Sequence, residues 1–186
     1  MISRRSMTAE QTVDGRTLSG YAAVYGEDSR EIVEGGRPFV ERIAPGAFNE
    51  TLRSGSDVKL LYNHDAGSLL ARTKSGTLKL RSDRQGLAFE ASLPETTLGN
   101  DVRTLLERGD LTGEMSFGFY VEDESWNRTR TERLVKRARL VEVSIVQDAA
   151  YPQTTSSLRS VSAAAHEAAR LRLELHRKRV DRWLTS

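Results

Sequence analysis

The chain has no cysteine among its 186 residues, which removes disulfide scaffolding, thiol catalysis and cysteine-based zinc sites together. Histidine is nearly as scarce, with His64, His166 and His176 the only imidazoles. The last two share one helix-forming stretch and, at about 100° per residue, point to different sides of it, so they make a poor chelating pair. An imidazole that does chemistry here is therefore His64, and no metal or cofactor is expected. No apolar run approaches the roughly 20 residues of a membrane helix. The basic start MISRRSMTAEQ also lacks the apolar stretch of a secretory signal. No membrane association is expected, and the default location is the cytoplasm. Aromatics are 6% of the chain, and none interleave with the basic segments as a stacking platform for single strands requires. The glycines are dispersed at turns, so neither a Walker loop nor a dinucleotide loop is present.

Charge is nearly balanced, with 28 basic and 26 acidic residues and a net charge of +2. Mean hydropathy is −0.51 and the sequence pI is about 9.0, as expected of a soluble chain long enough to bury a core. Two segments are locally basic, RTRTERLVKRAR (Arg128 to Arg139) and ARLRLELHRKRVDR (Ala169 to Arg182). They read first as solvated faces, and a nucleic-acid partner is not expected.

The body is strand-rich. LSGYAAVYGE (Leu18 to Glu27) predicts an early strand, and EGGRPFVERI (Glu34 to Ile43) a turn and a second extended piece. In APGAFNETLRSG, Pro45 and Gly46 open a short helix with Phe48 and Leu52 one turn apart, and Gly55 closes it. DVKLLYNHD alternates so that Val58, Leu60, Tyr62 and His64 share one strand face. GTLKLRSDRQGLAFEASLP predicts two strands around a turn at Asp83 to Gly86. LGNDVRTLLERGD carries helix punctuation, with Asn100 as N-cap, Val102, Leu105 and Leu106 on one face, and Gly109 as the stop. After a linker at Gln153 to Ser162 comes a helix-forming tail whose seam is Ala169, Leu173, His176, Val180 and Leu184.

Three side chains in this pattern are out of place. In GEMSFGFYV, Met115, Phe117, Phe119 and Val121 share a face, leaving Ser116 opposite, beside Gly118. That glycine suits either a close substrate backbone or a tight crossing strand; taken alone, Ser116 reads as an ordinary strand serine. His64 ends an apolar face, where an imbedded imidazole can act as a general base for serine or simply close a strand. Glu142 sits inside RLVEVSIVQ, a run that reads as buried, where an unpaired carboxylate is costly. Its open options are an imidazole, a salt bridge to Arg137 or Arg139, or an edge facing water. Ser144 is a rival nucleophile and Asp65 a rival orienting acid.

The ordered set GYAAVYGE, ERIAPGAF, KLLYNHD, GLAFEASLPETTLGNDVRTLLERGDLTGEMSFGF and LVEVSIVQDAAYP resembles the prohead (capsid maturation) proteases of tailed bacteriophages, the HK97 type. The resemblance spans about Leu18 to Leu158. It implies an α+β fold, a mainly antiparallel β-barrel with flanking helices like the herpesvirus assemblins, as a domain over 1–158; the resemblance leaves out the tail, where the residues themselves predict a basic amphipathic C-terminal helix over 159–186. It implies a serine endopeptidase with Ser116 as nucleophile, His64 as general base and Glu142 as the orienting acid, and Arg137 or Arg139 as helpers of the oxyanion. The implied partners are the major capsid protein precursor and its scaffold segment, with homo-oligomerisation and self-cleavage near the linker, inside the immature capsid in the host cytoplasm. The competing expectation is a non-catalytic capsid assembly protein of the same fold.

Overall fold

The computed structural model describes residues 2–7 and 11–147. Its strands are β1 (Ser3–Met7), β2 (Gln11–Asp14), β3 (Thr17–Val24), β4 (Ile32–Glu34), β5 (Arg37–Ile43), β6 (Lys59–Tyr62), β7 (Asp65–Arg72), β8 (Leu78–Ser82), β9 (Gly86–Ser92), β10 (Met115–Trp126) and β11 (Glu132–Ile145). Two helices, α1 (Asn49–Arg53) and α2 (Thr97–Arg108), interrupt them. The expected tail over 159–186, its seam, the linker and the boundary at 158 lie outside the described residues. No described helix is long and apolar enough to cross a membrane.

The α+β class holds, but the ladders of the described residues close no barrel. They form a seven-stranded sheet with the path β1-β10-β11-β5-β4, to which β6 and β7 add beside β11, and a four-stranded sheet in the order β2-β3-β9-β8. The larger sheet branches at β11. The edge of β11 away from β10 is shared by two parallel partners, β5 over Glu132 to Val135 and β6 over Glu142 to Ile145. Between them the loop-helix unit takes the strand's bonds: Ala44 N donates to Val135 O, Ala138 N to Ala47 O, and Leu140 N to Thr51 Oγ1. A segment with its own helix there leaves no room for one continuous neighbouring strand. β5 enters that unit and β6 leaves it with the chain still advancing along β11, so both pairings are parallel.

The core lies against the apolar face of β10. Met115, Phe117 and Phe119 are fully buried, and Phe48 from the loop before α1 meets both phenylalanines edge-on, with ring centroids 5.8 and 6.2 Å away. Burying each such ring contributes roughly 1.5–3 kcal/mol. α2 begins one turn earlier than the Asn100 cap predicts. Thr96 Oγ1 accepts from Gly99 N, and Asn100 sits in the first turn with its Oδ1 taken by Arg16. Its stop is as expected, with Gly109 left-handed at φ 75°.

Candidate active site

β6 and β7 form a hairpin in which Tyr62 faces Asp65, so Asn63 and His64 are the two turn residues. Both are left-handed, with φ of 51° and 60°, the signature of a type I′ turn. Its second position normally holds glycine, and a histidine there costs about 1 kcal/mol in backbone strain. His64 is therefore not the last residue of a strand face, as the alternation predicts; β6 ends at Tyr62 because the chain reverses immediately after it. The turn is fixed to the end of β11: Asn63 N donates to Ile145 O at 2.8 Å and Gln147 N to Asn63 Oδ1 at 3.0 Å. That anchorage delivers the imidazole to β11.

Glu142 receives it. His64 Nδ1 lies 2.8 Å from Glu142 Oε1, with the two side chains 22% and 6% exposed. Ser144 Oγ donates to Glu142 Oε2 at 3.1 Å, and Arg4 Nε donates to Oε1 at 3.2 Å. Burial pushes the Glu142 carboxyl up, but the bonds from His64 and Arg4, the charge of His64 and the Ser144 hydroxyl outweigh it and hold the carboxyl below its ordinary value. Asp65 is occupied within its own turn, accepting from Gly67 N and Ser68 Oγ.

Ser116 stands on the same face of the sheet. Across the β10–β11 ladder it opposes Ser144, while Gly118 opposes Glu142, so Ser116 and Glu142 are diagonal neighbours, about 7–8 Å apart across the two strands. The space at Gly118 is filled from within the chain: a Cβ there would lie 2.8 Å from both Cγ and Oε1 of Glu142. Ser116 is fully buried, and its hydroxyl donates to the Arg5 carbonyl of β1 at 2.9 Å. With Nδ1 turned to the carboxylate, the imidazole has Nε2 left for a serine. Ser144 Oγ is already bonded to the carboxylate itself.

Residues 3–168 match the family described as caudovirus prohead serine protease. The chain belongs to that family. No protein of curated function and no solved structure matches it. Membership in the prohead serine protease family carries a serine protease activity and a role in capsid maturation.

The arginines suggested for the oxyanion are engaged elsewhere. Arg137 pairs with Glu50 and Glu122, and Arg139 lies over the Tyr120 ring at 4.6 Å. Nor is the Arg128 to Arg139 segment a free basic face, since Arg133 is buried against Glu41. The residue that sequence reading misses is Arg4. It lies 138 positions from Glu142, in a basic start that reads only as the absence of a signal peptide. Nothing local in SRRS connects it to RLVEVSIVQ before the strands are paired. Among the described residues, no group of three or more His, Asp or Glu side chains is arranged to hold a metal ion.

Proposed function

We propose that this prohead protease is a serine endopeptidase that cleaves the scaffold segment of the major capsid protein precursor, with Ser116 as nucleophile, His64 as general base and Glu142 as the orienting acid. One observation carries the assignment: the only imidazole in the body of the chain has its Nδ1 on a buried carboxylate, beside a strand whose serine occupies the same sheet face. In the cycle, His64 Nε2 takes the Ser116 proton as Oγ bonds to the scissile carbonyl carbon. The imidazolium then protonates the leaving amine as the C–N bond breaks, and a water, deprotonated by His64, releases the acyl group. Glu142 holds the tautomer with the proton on Nδ1 and stabilises the imidazolium. Ser116, fully buried and bonded to the Arg5 carbonyl, must first give up that bond, turn toward His64 and become accessible to substrate. Each oxyanion donor would contribute about 2.7–4 kcal/mol.

In this reading the enzyme acts inside the immature capsid in the host cytoplasm, associates with copies of itself, and finally cuts its own chain in the 153–162 linker. An alternative, a non-catalytic assembly protein of the same fold, draws on the complete burial of Ser116 and its bond to Arg5. Co-expression with the cognate capsid protein precursor separates them. Wild type should shorten the precursor and Ser116→Ala should leave it intact by mass spectrometry. Equal processing by both, or by neither, would contradict the catalytic reading.

A further inference from the structure

We infer that Arg4 is a positioning residue of this site, a side chain from the N-terminal strand that holds Glu142 in line for His64. The inference rests on the catalytic reading above. β1 pairs with β10 so that Arg4 opposes Gly118, and Gly118 in turn opposes Glu142. The three form one row across three strands, and the middle one has no side chain. Arg4 and Glu142 meet across that gap. Arg4 Nε and His64 Nδ1 then converge on the same oxygen, while Ser144 holds the other. The carboxylate is bound at both ends, which fixes its rotation as well as its place.

The strand that carries Arg4 is itself anchored. The next residue, Arg5, points to the opposite face and donates from Nε to Glu41 Oε1 at 2.6 Å. Glu41 is nearly inaccessible and also accepts from Arg133 Nε at 2.6 Å. A buried carboxylate shared by two guanidiniums breaks only at high cost, because removing one partner strands the other charges. Arg5 also presents the carbonyl that accepts from Ser116. β1 is thereby held on one face by an ion cluster and contacts two members of the site on the other. Arg4 itself is half exposed, so its bond to Glu142 does little for the stability of the fold.

The charged and titratable groups around Glu142 are Arg4 from β1, His64 from the β6–β7 turn and Lys59, its exposed register partner on β6. Removing the Arg4 cation deprives an ionised carboxylate of a donor and a positive charge, so Glu142 becomes protonated at a higher pH.

The test uses two readouts on the full chain. The first is the rate at which a fluorophosphonate probe phosphonylates Ser116, followed by intact mass across pH. Arg4→Gln should slow it about tenfold and move the acid limb to higher pH, and Arg4→Lys should restore most of both. The second is the carboxyl titration of Glu142 by carbon-detected NMR in a Ser116→Ala background, which needs no activity. Its midpoint should rise in Arg4→Gln and return toward the starting value in Arg4→Lys. An unchanged titration and an unchanged pH profile in Arg4→Gln would overturn the role of Arg4 while leaving the catalytic reading intact. A wild type that the probe never labels would overturn the catalytic reading, and with it this use of Arg4, even if the titration moves.

Discussion

Gly118 and Glu142 face each other across the β10–β11 ladder, and the glutamate side chain occupies the space that any larger residue at 118 would need. Gly118→Ala should therefore push the carboxylate off His64 without touching the apolar face of the strand. The expected result is a loss of about 10- to 100-fold in the rate of Ser116 labelling, because displacing a positioned group by about 1 Å is costly to catalysis. Unchanged labelling would show that the contact between Glu142 and His64 is dispensable.

The two serines on this face should respond differently. Ser116→Ala should abolish activity. Ser144→Ala removes only the donor to Glu142 Oε2, and a loss within about tenfold is expected from its supporting place. Glu142→Gln, which keeps the shape and removes the charge, should cost about 10²- to 10⁴-fold. A fully inactive Ser144→Ala beside an active Ser116→Ala would reverse the assignment.

The strand that bears Ser116 was legible in its sequence; the place of His64 was not. Met115, Phe117 and Phe119 follow the period of 2 and are fully buried, while Ser116 and Gly118 between them are buried as well, because both faces of this stretch are covered. The hairpin of β8 and β9 and the stop of α2 at Gly109 also follow from local turn chemistry. Local patterning misplaced His64 because DVKLLYNHD alternates smoothly into the turn, and a type I′ turn with histidine in the glycine position carries no cue. It likewise missed β7, where half of the residues of DAGSLLAR are exposed and one is a glycine. The branch at β11 and the reach of Arg4 to Glu142 depend on pairings between distant segments, and no local pattern encodes them.

The left-handed backbone at His64 gives a prediction free of the lost imidazole. His64→Gly and His64→Ala both remove the side chain, but glycine adopts φ near 60° without strain. Urea unfolding should find His64→Gly more stable than His64→Ala by about 1 kcal/mol. Equal stabilities would mean that the turn relaxes out of its left-handed form.

Glu142 also ties stability to acidity. Its carboxyl is held below the ordinary value of 4.5, so in the folded state it releases its proton more readily than when unfolded. The resulting stabilisation is complete above that ordinary value and is lost as pH falls through the folded value. Wild type should therefore lose more stability than Glu142→Gln between pH 7 and pH 3 in urea unfolding. Parallel losses would show that the carboxylate gains nothing from its partners.

The proposed roles of Ser116 as nucleophile and of His64 and Glu142 in activating it meet in one reaction. The direct measurement is peptide mapping of protein treated with a fluorophosphonate. A single adduct is expected on Ser116, and none in His64→Ala. An adduct on Ser144, or one on Ser116 that forms as fast without His64, would contradict it.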